Sequence, residues 1–119
     1  MAGLSKILFK VREIIYLDYR GLKETEIIEA LKKAETLVLR ENKPYLTLTN
    51  FDGAYATPGF LEQANKLREK TKHLAIKGAI VGIEGAKGVI LSVFNSALKG
   101  SGIVTFQSEE EAKEYLIND

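Results

Sequence analysis

The chain has no cysteine, one histidine and two prolines in 119 residues, and its 17 basic side chains nearly cancel its 16 acidic ones. Without cysteine there are no disulfides, thiolate nucleophiles or thiolate metal sites. This usage suits a reducing compartment, so the expected location is the cytoplasm. The one histidine, His73, falls near a helix end where a partly positive imidazole suits the dipole, which leaves neither a histidine metal site nor a histidine-assisted triad. No serine stands in a nucleophile-elbow pattern, so covalent catalysis has no visible machinery. A formal charge of +1 supplies no global field to draw in nucleic acid or an anionic membrane. Long apolar runs are missing as well. The opening "MAGLSKILFK" has three apolar residues between Lys6 and Lys10, too few for a secretory signal. "LAIKGAIVGI" at 74–83 is broken by Lys77 and is about half as long as a spanning helix. No membrane span and no cofactor are expected.

What is present suffices for one core. At 45% hydrophobic and 28% charged residues, a chain of this length reads as one domain over residues 1–119, with no linker or low-complexity run. "KILFK" (6–10) and "EIIYLDY" (13–19) are β-branched and aromatic runs that predict two strands in a hairpin, with the charged pair Arg12 and Glu13 between them. Over residues 23–42, Ile27, Ile28, Leu31, Ala34 and Val38 recur at helical spacing, and Asn42 and Pro44 end the helix. "YLTLTNF" (45–51) alternates as a strand with one buried face. Thr57 followed by Pro58 starts a helix carrying Phe60, Leu61, Ala64, Leu67 and Thr71 on one stripe. "AIKGAIVGI" (75–83) is the most apolar run and predicts the middle strand of the sheet. Ala86, Val89, Ile90, Val93, Phe94, Ala97 and Leu98 give a helical period over 85–99, closed by Gly100 and Gly102. "IVTF" (103–106) is a last strand. Ser108 and Glu111 then make a capping box for a helix bearing Ala112, Tyr115 and Leu116.

The order is β-β-α-β-α-β-α-β-α. It predicts an α/β fold with one mixed, mostly parallel five-stranded sheet, about four helices, and the first strand antiparallel at one end. In such a sheet, ligands bind where loops leave the carboxyl ends of the strands. Three loops share that edge here, "DYRGLK" (18–23), "NFDGAYATP" (50–58) and "GIEGAKG" (82–88). The candidate ligand- or partner-binding residues are therefore Asp18, Tyr19, Arg20, Asp52, Tyr55, Thr57, Gly82, Glu84, Gly85 and Lys87.

Each group has a plainer reading beside it. Gly82, Gly85 and Gly88 with Lys87 could cradle a phosphate at a helix start. Their spacing matches neither GxxxxGK[ST] nor GxGxxG, and glycines that let a helix pack against its strand explain the same letters. Asp18, Asp52 and Glu84 could share acid–base work or a hard cation, but acids at strand ends and helix starts are common caps and turn formers. Thr57 is an exposed hydroxyl where added phosphate would alter the surface charge, or a simple N-cap. Phe51, Tyr55 and Phe60 are either a small exposed docking patch or core and rim.

The segments "IIYLDYRGL" (14–22), "LTLTNFDGAYATP" (46–58), "AIKGAIVGIEGAKGVIL" (75–91) and "FQSEEEAKEYL" (106–116) resemble STAS domains, and more closely the SpoIIAA-like family of small bacterial proteins. The resemblance spans nearly the whole chain. It implies a sheet covered by helices and, in regulatory members, a serine at the start of the second helix whose phosphorylation controls binding to an anti-sigma kinase. Against that family's "D-S-S-G-L", this chain reads Ala56, Thr57, Pro58, Gly59, Phe60. The serine is replaced by Pro58, the aspartate by Ala56, and Thr57 lies beside the switch position. The architecture is also similar to CRAL-TRIO lipid carriers, though little chain is left over for a lid.

The expected function is that of a non-enzymatic protein-interaction or regulatory module, acting through the loop at 50–60 and the helix after it. The alternative is a small-molecule or lipid-binding domain, taking an apolar or anionic ligand in a pocket at the carboxyl edge. An enzyme using Asp18, Arg20 and Glu84 is a weaker third reading. An open sheet edge, or an apolar helix stripe too large for one domain to cover, would permit a homodimer. No nucleic-acid partner is expected.

Overall fold

A seven-rung antiparallel ladder from Gly3↔Asp18 to Phe9↔Arg12 joins β1 (Gly3–Phe9) to β2 (Arg12–Asp18). The structure, a computed structural model, describes residues 3–10, 12–54, 57–83 and 103–118. Only positions 10 and 11 separate the two strands, and Lys10 takes φ +47, the left-handed region that short hairpin turns require. Arg12 and Glu13 therefore lie inside β2 and not between the strands as their charge suggests, because the ladder closes at Arg12.

The chain continues through α1 (Glu24–Glu41), β3 (Tyr45–Asn50), α2 (Pro58–Thr71), β4 (Ala75–Val81), β5 (Ile103–Phe106) and α3 (Glu109–Ile117). The strands lie in sequence order, with β1 antiparallel at one edge and the β2–β3, β3–β4 and β4–β5 pairs parallel. This is the mixed five-stranded α/β sheet that the alternating pattern predicts. Three helices are seen among the described residues; the helix expected over 85–99 lies outside them. The expectation that 75–83 is the middle strand is corrected. β3 is the middle, and β4 is apolar because both its faces are covered: Ile80 joins one core cluster, Ala79 and Val81 the other.

Those clusters are the two layers on either side of the sheet. On one face, Leu17, Phe51 and Ile80 pack under Ile27, Ala30, Leu31 and Ala34 of α1 and Phe60 of α2. On the other, Ile14, Leu46, Leu48, Ala79 and Val81 pack under Ala112 and Leu116 of α3. Ile14, Ile27 and Leu48 are fully buried, each stabilising by about 1.5–3 kcal/mol. On α1 the buried stripe takes Ala30, while Ile28 is only half-buried. The helix closes at Asn42, φ +49, whose N–H bonds to the Val38 carbonyl at 2.9 Å. Among the described residues, no helix is long and apolar enough to cross a membrane.

Candidate functional site

The final rungs of the parallel pairs line up as one row, Asp18, Asn50, Val81 and Phe106. The segments leaving β2, β3 and β4 therefore start on one rim. Backbone bonds extend the row past the strands, from Tyr19 N–H to the Asn50 carbonyl and from Phe51 N–H to the Val81 carbonyl, both 2.9 Å. Each segment then turns at once. Leu22 N–H reaches back to the Tyr19 carbonyl at 3.0 Å, and Ala54 N–H to that of Phe51 at 2.9 Å.

The turns touch each other through glycine. A Cβ on Gly53 would stand 3.7 Å from the backbone nitrogen of Gly21. At Gly82, φ +76, a Cβ would meet the Asp52 nitrogen at 2.7 Å and its Cβ at 2.8 Å. Gly82 is thus required by backbone approach to the turn after β3 and by its left-handed φ, a reason that neither sequence reading gave; the helix that the plainer reading packs against the strand lies outside the described residues.

Asp18 is the buried acid of the rim, its side chain 8% exposed. Arg20 clasps it as a fork, Nε to Oδ1 at 2.9 Å and Nη2 to Oδ2 at 2.8 Å, and adds its own N–H to Oδ1 at 3.2 Å. These charge-assisted bonds hold the Asp18 carboxyl below its ordinary pKa, against the opposing effect of burial. The guanidinium itself is 57% exposed. The site therefore shows solvent a cation whose orientation is fixed by a buried anion.

On the α3 side of the rim stands a group that sequence reasoning missed. Glu109, in the first turn of α3, accepts from the Tyr16 hydroxyl at 2.5 Å and from Asn50 Nδ2 at 3.0 Å. Asn50 Oδ1 in turn accepts the Asp52 N–H at 3.0 Å. Partial burial, with the Glu109 carboxylate beside it, pushes the Tyr16 phenol up to about 12. Period-two alternation in β2 and β3 could have put Tyr16 and Asn50 on one face; nothing in the sequence pointed to Glu109. The capping box expected at Ser108 is half realised. The Ser108 hydroxyl accepts Glu111 N–H, but the Glu111 carboxylate bonds that hydroxyl, both at 3.2 Å.

At the start of α2, Thr57 Oγ1 accepts Phe60 N–H at 3.2 Å and donates to the Glu24 carboxylate from the first turn of α1. The N-cap reading of Thr57 holds, and the exposed-hydroxyl reading is corrected, because Thr57 is half-buried and also bonds Glu24. The docking-patch reading of Phe51 and Phe60 is corrected too. They are 1% and 5% exposed and meet Tyr19 edge-on, with ring centroids 5.2–6.0 Å apart. Tyr19, 1% exposed, belongs to that core and not to a partner surface. Asp52 is exposed at the turn. Of the sequence candidates, the structure brings Asp18, Arg20, Asp52 and Gly82 to one rim with Thr57 at the neighbouring helix start. Tyr55, Glu84, Gly85 and Lys87 lie outside the described residues.

No protein-family model and no curated protein matches the chain. A solved structure described as an anti-sigma-factor antagonist (STAS) domain protein from Planctomyces limnophilus is similar to it with a TM-score of 0.64, at 13% identity, over 98% of this chain and 100% of that chain. The chain has the STAS fold.

Proposed function

We propose that the chain is a non-enzymatic regulatory module that binds a protein partner through the carboxyl rim, using the turn at 50–53, the start of α2, and Arg20. The observation that carries this reading is the row Asp18–Asn50–Val81–Phe106, which gathers exposed Arg20, Gly21, Asp52 and Pro58 around a well-braced edge. Rigid positioning of a few polar groups suits recognition, since less side-chain freedom is lost on contact. The similar Planctomyces limnophilus protein, by its description an anti-sigma-factor antagonist, supports a protein partner. Asp18 makes a poor general base when its carboxylate is committed to Arg20, which weighs against acid–base chemistry at this edge. A small-molecule role at the carboxyl edge has no comparable support; the apolar pocket among the described residues lies beneath α2.

The test is affinity capture with the tagged chain, followed by measured affinity for the recovered protein. Arg20→Glu with Asp52→Lys should abolish or strongly weaken recovery, and Lys32→Glu on the outer face of α1 should not. Equal recovery by the wild type and both variants would refute the reading.

A further inference from the structure

Between α2 and the face of β3 and β4 lies a cavity of about 170 Å³. Among the described residues its lining is mainly apolar. Phe51 and Phe60 stand toward the carboxyl rim, Ala64 and Leu67 come from α2, and Ile76, half exposed, stands where β4 begins. Tyr19 lines it as well. Its hydroxyl is buried and has no hydrogen-bond partner, the one such side-chain atom among the described residues. The contrast with Tyr16 and Tyr45 is informative, because those hydroxyls bond to Glu109 at 2.5 Å and Thr71 at 2.9 Å. A buried hydroxyl left unpaired is destabilising, and each case calls for a physical reason.

We propose that this cavity binds a small, largely apolar molecule carrying one hydrogen-bonding group, which the Tyr19 hydroxyl reads. The volume is close to that of a roughly 150 Å³ cavity known to hold benzene, so the ligand has on the order of six to ten non-hydrogen atoms. An aromatic ring fits well. Tyr19, Phe51 and Phe60 already meet edge-on at centroid distances of 5.2, 6.0 and 5.3 Å, and a fourth ring can join in the same geometry. The cavity runs along the sheet face from the rim-side aromatics down to Ile76, and its test varies the buried Tyr19 and Ala64 where the partner test varies the exposed Arg20 and Asp52, so the two readings fail separately.

Phenol and toluene, near-isosteric and differing in one hydroxyl, are the probes, titrated into methyl-labelled protein and followed by NMR. Phenol should give saturable shifts centred on Leu67, Ile80 and Ile103, with toluene at least about tenfold weaker, because only phenol pairs the buried hydroxyl. Tyr19→Phe keeps the ring and breaks no existing bond, and should bring the two affinities together. Ala64→Leu fills the space and should remove binding of both. Absence of saturable shifts with either probe overturns the proposal, as would occupation by water alone. So would a phenol preference that survives Tyr19→Phe, or binding undiminished in Ala64→Leu.

Discussion

Gly82 and Asp52 stand so close that a Cβ on the glycine would lie 2.7 Å from the aspartate's backbone nitrogen. This contact locks the exit of β4 against the turn after β3. Gly82→Ala combines that clash with a left-handed φ, and should cost about 2–4 kcal/mol in urea unfolding. Gly21→Ala is the control. Its φ is +71, but nothing lies within 4 Å of the added Cβ, so it should cost only about 1–2 kcal/mol. Equal losses would mean that backbone conformation, and not contact between the loops, sets the rim.

Asp18 and Arg20 give a pH-dependent prediction. A carboxylate whose folded pKa is depressed contributes stability that is present above its unfolded pKa, about 3.9, and lost as pH falls through the lower folded value. Arg20→Met should raise the Asp18 pKa by carboxyl-detected NMR. It should also lower the urea midpoint near neutrality, modestly because the guanidinium is largely in water. The gap between wild type and variant should persist down to about pH 4 and narrow below it.

Tyr16 and Tyr19 should respond differently to loss of the hydroxyl. Tyr16→Phe leaves the Glu109 carboxylate one donor short, with Asn50 Nδ2 its remaining partner, and should cost about 1 kcal/mol. Tyr19→Phe removes an unpaired group and should be neutral or stabilising. Because the Tyr16 phenol is raised to about 12, it favours the folded state below pH 10, and that contribution is lost as pH climbs from 10 to 12. Alkaline denaturation of Tyr16→Phe should accordingly be shallower than that of wild type over this window.

Thr57 ties α2 to α1, so a negative charge there acts on the fold as well as on the surface. Thr57→Ala should cost about 1 kcal/mol as a lost N-cap. Thr57→Glu also faces the Glu24 carboxylate and should be worse than the alanine variant, with Glu24→Gln restoring part of the difference. A double-mutant cycle showing no coupling between positions 24 and 57 would contradict the pairing.

Much of the fold was legible because local and global signals agreed. Asn42 and Pro44 end α1, Thr57 and Pro58 start α2, and "IVTF" coincides with β5. The middle of the sheet was misread, since apolarity reports coverage of both faces and not rank within the sheet; β4 is as well covered as β3. The site was legible as a rim and illegible as a set of roles. Tyr19, Phe51 and Phe60 are aromatics near turns, which in one dimension look the same whether they face solvent or each other. Glu109 is 93 residues from Tyr16, and no local pattern records so distant a partner. Thr57 was readable as a cap, but its second bond to Glu24 depends on how two helices pack.

The most direct measurement is the affinity for the captured partner of the rim double variant, Arg20→Glu with Asp52→Lys, beside Lys32→Glu, with each variant's fold checked by circular dichroism. A loss of about tenfold or more confined to the rim variant is the predicted result, equivalent to about 1.4 kcal/mol or more of contact energy. Folded variants that all bind as the wild type does would contradict it.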